Sequence, residues 1–186
     1  MSSCPENNLS RPDRALCRIE VGMNPGIPDT VGKKKVKTIR QNLGIPVAWV
    51  QQIKVFTLEG PAELLTAERL SSLVSGGALH DPIMQTASLD EPLPLDFAPS
   101  PVVGGPALPD WILEVGYRPG VTDNEGRTAR DTAALVWGLS REERQEFSVY
   151  TAVQYRIACD PANPLLLDAV TRIGRDLLCN ELIQRM

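Results

Sequence analysis

The chain predicts an α+β fold made of two tandem βαββαβ units. Three observations carry this expectation. First, a motif recurs: residues 20–32 read EVGMNPGIPDTVG and residues 114–126 read EVGYRPGVTDNEG, identical at seven of thirteen positions at an offset of 94. Second, a shorter anchor closes each copy, LHDPIMQ from Leu79 and LCNELIQ from Leu178, at an offset of 99. Two anchors in the same order mean one duplicated unit with a small insertion in the second copy. Third, each copy passes through the same alternation of strand-like and helix-like apolar patterning.

Each copy opens on a strand, CRIEVGM (17–23) or WILEVGY (111–117), where Ile19, Val21 and Met23 alternate as one buried face requires. Pro-Gly follows, with Gly26 and Gly120 free to take positive φ in a turn. A helix comes next. In the second copy Thr122 and Glu125 have capping-box spacing, with Thr122 as N-cap. In the first copy Pro28 stands at the matching place, so Asp29 or Thr30 must cap. Gly32, Val36, Ile39 and Leu43 stripe the first helix; Gly126, Ala129, Ala133, Val136 and Trp137 stripe the second. Arg130 stands where Val36 stands, so the second helix is rotated slightly or Arg130 lies at the edge of its buried face. A helix-interior glycine costs about 0.5–1 kcal/mol relative to Ala. Its recurrence within both stripes predicts close approach of helix to sheet. Gly44 and Gly138 close the helices. Asp123 and Arg127 have the spacing of an exposed ion pair.

The extended stretch AWVQQIKVFTLEG (48–60) is long enough for two strands joined by a tight turn or bulge. Its counterpart is SVYTAVQYRIA (148–158), preceded by a short helix with Ser140 and Glu143 as a capping box. The second helix spans Thr66–Val74 in the first copy. In the second it starts at Asn163 as N-cap with Pro164 at the first position and runs to about Leu178, striped by Leu166, Val170, Ile173 and Leu177. IMQTASL and ELIQRM suit a last strand. Two helices on one side of such a sheet is the ferredoxin-like arrangement. Units this small gain from pairing, which predicts a pseudo-twofold dimer of antiparallel sheets with helices on one side. The expected organisation is a tail over 1–15, one unit over 16–88, a linker over 89–109 holding six of the 16 prolines, and a second unit over 110–186.

Hydrophobic residues are 42% and charged residues 23%, which excludes wholesale disorder. A net charge of −4 argues against a nucleic-acid partner. No apolar run approaches the roughly 20 residues that span a bilayer, so no membrane partner is expected. The first residues lack the apolar core of a secretory signal. Cys4, Cys17, Cys159 and Cys179 are scattered and read as reduced thiols of a cytoplasmic protein. The one histidine, His80, sits after a Gly-Gly pair with no nucleophile motif nearby, and reads as a loop-edge residue. Asp90-Glu91 and Glu142-Glu143 read as solvated charges rather than an acid and base. No metal spacing or phosphate-binding glycine loop is present, so no catalytic residue and no cofactor or metal is assigned to the chain itself. The candidate partner interface is basic: Lys33, Lys34, Lys37 and Arg40, with Lys35, on the first helix, and Arg127 and Arg130 on its counterpart. Either it docks an acidic or phosphate-bearing partner, or it is a solvated helix face.

P-G-x-x-D-x-x-G opening a helix, with the end signature L-x-N-x-x-I-Q, resembles the PurS family, in two tandem copies over residues 17–86 and 111–186. The second copy looks especially like the PurS-like N-terminal region of a large-type phosphoribosylformylglycinamidine synthase. The resemblance implies a non-catalytic subunit of purine biosynthesis that self-associates. It would bridge the synthetase (PurL-like) and glutaminase (PurQ-like) parts and help seal ammonia transfer between them. ATP and magnesium would be used by the partner synthetase part. One departure matters: in the family the last strand continues well beyond the signature, and here six residues follow Asn180. The expectation is therefore a piece of a longer synthase, or a split subunit completed by a partner. The alternative is a ferredoxin-like small-molecule-binding regulatory domain. An independent enzyme is the third hypothesis.

Overall fold

A computed structural model describes residues 14–94, 109–159 and 163–186. Its first half is β1 (Arg14–Met23), α1 (Thr30–Leu43), β2 (Val47–Pro61), α2 (Ala67–Ser75) and β3 (Gln85–Leu89). Its second half is β4 (Trp111–Tyr117), α3 (Asn124–Val136), the short α4 (Glu143–Glu146), β5 (Ser148–Cys159), α5 (Leu167–Ile173) and β6 (Gln184–Arg185). A π-helical turn, Gly174–Leu178, continues α5. The strands form one antiparallel sheet in the order β3-β1-β2-β5-β4-β6, and the class is α+β. Among the described residues no helix is long and apolar enough to cross a membrane. Residues 1–13 and 95–108, most of the expected tail and linker, lie outside the described residues.

The expected strand pair in 48–60 is a single strand of 15 residues, and 148–158 lies within a single strand of 12. Neither stretch contains a central Gly or Pro to turn the chain. β2 runs beside β5 from Val47↔Cys159 to Glu59↔Ser148, with one irregularity between Val47 and Trp49. β1 pairs only with Lys54–Pro61 of β2, and β4 only with Ala152–Ile157 of β5. Each long strand thus joins the two halves and carries one half-length neighbour. The halves meet edge to edge in one sheet, not as two sheets.

All the helices that pack on the sheet cover one face, and they do so crosswise. One core cluster takes Cys17, Ile19 and Val21 of β1, Leu70 and Leu73 of α2, and Ala129, Ala133 and Ala134 of α3. The other takes Leu113 and Val115 of β4, Val170 and Ile173 of α5, and Ile39 of α1. The first helix of each half therefore packs into a core cluster to which both halves contribute. The Trp137 indole N–H donates to the Arg69 carbonyl at 2.8 Å, tying α3 to α2. Of the predicted stripe on α3, Gly126, Ala129 and Ala133 are buried while Val136 is exposed. Ala134 takes the inward place that Val136 was expected to fill.

Candidate functional site

The motif P-G-x-x-D-x-x-G is a joint between helix and strand, and each of its residues has a task. Gly26 and Gly120 take φ of 84° and 85°. Asp29 caps α1 by accepting from the Gly32 N–H at 2.7 Å, and its second oxygen accepts from the Gln52 N–H of β2 at 2.9 Å. Asp123 does the same for α3 and β5, accepting from the Gly126 N–H at 2.7 Å and the Thr151 N–H at 2.6 Å. Asp123, not Thr122, is thus the N-cap, because its carboxylate can serve helix and strand together. For the same reason it does not pair with Arg127. A Cβ on Gly32 would fall on the Val50 carbonyl oxygen, and one on Gly126 on that of Val149. The close approach expected at these glycines is present in both halves.

The closing motif is a second local device. Asp81 accepts from the Ile83 N–H, and Gln85 reaches back to accept from the Asp81 N–H. Asn180 accepts from the Leu182 N–H, and Gln184 from the Asn180 N–H. The two turns hold Ile83 and Leu182 out at 80% and 88% exposure.

The predicted basic residues divide between two helices that pack in different core clusters. Lys33, Lys34 and Lys37 lie exposed on α1, over the second-half core. Arg40 is structural, its Nε donating to the Val47 carbonyl at 2.8 Å. Arg127 and Arg130 lie on α3, over the first-half core, and line a shallow cleft of about 320 Å³ with Ser148 and Tyr150. Arg130 pairs with Asp131. Lys35 lies over the Tyr155 ring at 5.8 Å; burial, with help from Lys34, lowers its pKa.

The sheet face away from the helices holds charges that sequence reasoning missed. Arg156 and Glu20 form an ion pair at 2.7 Å with side chains 3% and 5% exposed. Arg156 also donates to the Leu93 carbonyl and to Gln154 Oε1, while Glu20 accepts from the Leu93 N–H. Arg18 donates to Glu20 and, through both terminal nitrogens, to Glu114. Burial works against ionisation of Glu114, but Arg18 outweighs it and holds the carboxyl below its usual range. The repeated acid at Glu20 and Glu114, within largely apolar strands, was the signal available for this network.

Beside Glu114 lies a cleft of about 730 Å³, floored by Gly116 and Ala152 and rimmed by Arg118, Tyr150, Arg185 and Met186. The buried Cys17 and Cys159 thiols have raised pKa values, chiefly from desolvation, and so stay protonated. Among the described residues no group of His, Cys, Asp and Glu gathers as a metal site. His80 Nδ1 is enclosed without a hydrogen-bond partner. Compared with known proteins, the chain matches no protein-family model and no curated protein.

Proposed function

We propose that the chain is a duplicated, PurS-like interaction module of a phosphoribosylformylglycinamidine synthase. In this reading it performs no chemistry itself. It bridges the PurL-like synthetase and PurQ-like glutaminase parts in the cytoplasm and helps to seal the path that ammonia takes between them. ATP and magnesium act in the synthetase part. The observation that supports the reading is the doubled motif: P-G-x-x-D-x-x-G makes the same helix-to-strand joint at Asp29 and at Asp123. In this reading the two copies are the halves that meet edge to edge through β2 and β5, with an outer surface to present to partners. Ammonia released into water near neutral pH is largely protonated and no longer nucleophilic, so a part that closes the seam serves the reaction without touching it.

The test is reconstitution with purified synthetase and glutaminase subunits. The expected result is co-elution in gel filtration and a gain in glutamine-dependent product, with no glutaminase or ATPase activity from the chain alone. Turnover by the pure chain, or elution apart from both subunits in the presence of glutamine, ATP and magnesium, overturns the proposal.

A further inference from the structure

Helix α1 carries charge that its own chain does not answer. Of the 19 cationic side chains, Lys33, Lys34, Lys35, Lys37 and Arg40 lie on it, and none of the 23 acids does. Lys33, Lys34, Lys37 and Arg40 are exposed and spread over roughly 10 Å of helix. Ile39, on the inward side, is fully buried. Lys35 leaves this row and lies half-buried over the Tyr155 ring. Arg40 is held by the Val47 carbonyl. Among the described residues no acid stands within ion-pair distance of Lys33, Lys34 or Lys37. Asp29, four residues before Lys33, gives its two oxygens to the Gly32 and Gln52 amides instead. Like charges one turn apart repel, and Lys33 stands at the positive end of the helix dipole. The repulsion within α1 is unrelieved.

The second half shows the corresponding helix with its charges balanced. α3 sets Arg127 and Arg130 against Glu125 and Asp131. Glu125 pairs with Lys54, and Asp131 with Arg130 and Arg144. At the offset of 94, Thr128, Ala129 and Asp131 stand where Lys34, Lys35 and Lys37 stand in α1. Both helices make the same joint to the sheet, so the joint does not call for lysines. Outside α1 the chain has 14 cations against 23 acids. A long polyanion laid along α1, such as nucleic acid, would therefore run on over a negative body. Lysine ammoniums strung along a helix are hydrated point charges and do not close on one phosphate as an arginine fork does. Carboxylates spaced along one element match them singly.

We propose that the outward face of α1 docks an acidic segment of a partner protein, whose carboxylates, one turn apart, each meet one of Lys33, Lys34 and Lys37. Binding relieves the repulsion within α1. Charge complementarity of this kind speeds encounter and fixes orientation more than it adds affinity. α3 takes no part. The proposal rests on the charge and exposure of α1 alone and is independent of the PurS-like reading.

The probe is a labelled alanine-based helical peptide with Glu one turn apart along one face. Its binding to the whole chain is read by fluorescence anisotropy at about 50 mM salt, where exposed charges are weakly screened. Replacing the three lysines together, Lys33→Gln, Lys34→Gln and Lys37→Gln, is expected to weaken binding about tenfold. The same triple variant raises the Tm of the chain without peptide, because the repulsion is gone. Arg127→Gln leaves binding unchanged. A peptide of the same composition with Glu at alternate positions, scattered around its helix, binds several-fold more weakly. Absence of binding overturns the proposal, as does binding that survives the triple substitution or falls equally with Arg127→Gln. Equal binding of the two peptides overturns it in favour of diffuse attraction. A Tm that fails to rise in the triple variant removes the unrelieved repulsion on which it stands. Tighter binding of a polyphosphate or DNA strand of equal charge overturns the protein partner in favour of a phosphate-bearing one.

Discussion

Arg156 has three protein partners for its buried guanidinium: Gln154, the Leu93 carbonyl and Glu20. Replacing a buried ion pair by apolar residues is often neutral, whereas removing one member strands the other charge. Glu20→Leu alone is therefore expected to cost about 3–5 kcal/mol. The double substitution Glu20→Leu with Arg156→Met recovers most of that loss. Urea unfolding of the four proteins in the cycle checks this, and additive effects contradict it. Glu114 acts on the acid side. Its folded pKa lies below its unfolded value, so its contribution is fully present above the unfolded value of about 4.3. That contribution fades as pH falls through the lower folded value. Glu114→Gln is expected to flatten the fall in Tm between about pH 5 and about pH 3. An acid limb as steep as before would remove Glu114 as its source.

At the scale of elements, the joints between helix and strand are tighter than helix propensity favours. Gly126→Ala improves intrinsic propensity by about 1 kcal/mol, yet it drives a methyl into the Val149 carbonyl. The net expectation is destabilisation of about 1–3 kcal/mol by overpacking. A rise in the chemical-unfolding midpoint would show that α3 can lift off β5 without loss. The turn glycines and the inward glycines of these joints were legible because their signals are local. The Ser140–Glu143 capping box was legible for the same reason, and its two reciprocal bonds are present. The second-half cap was read one residue early, at Thr122, because the strand amide that selects Asp123 is distant in sequence. What depends on distant partners was not legible. The length of β2 is set by β5 alongside it, so a stretch longer than an average strand read as two. The start of α5 moved from Pro164 to Leu167 because the Trp111 indole N–H takes the Leu165 carbonyl at 3.0 Å, and Leu165 is itself buried. That holds the segment extended where its composition invites a helix. The charged network was hidden likewise, since Glu20 and Arg156 meet only when β1 and β5 lie in one sheet.

The whole molecule is interlocked. Ile39 of α1 is fully buried in a cluster that includes Leu113, Ile157 and Ile173 of the second half, and Ala133 of α3 in one that includes Ile19 and Leu70 of the first. Neither half has a complete core of its own. Fragments 1–94 and 95–186 are expected to be largely unfolded when separate, and to regain helix and sheet on mixing at equal concentration. Circular dichroism of each fragment and of the mixture decides this; a cooperative thermal transition in either fragment alone would refute it.

The crossed helices also set a timetable for synthesis. α1 and the start of β2 emerge early, but much of the cluster that buries Ile39 belongs to β4, β5 and α5, as distant as Ile173. Translation at roughly 5–20 residues per second delivers those partners about ten seconds later. Through that interval the nascent chain displays an apolar helix face and an unpaired strand edge. The ribosome-bound intermediate is thus where this protein is most open to chaperones, and to pairing with the wrong neighbour on the same message.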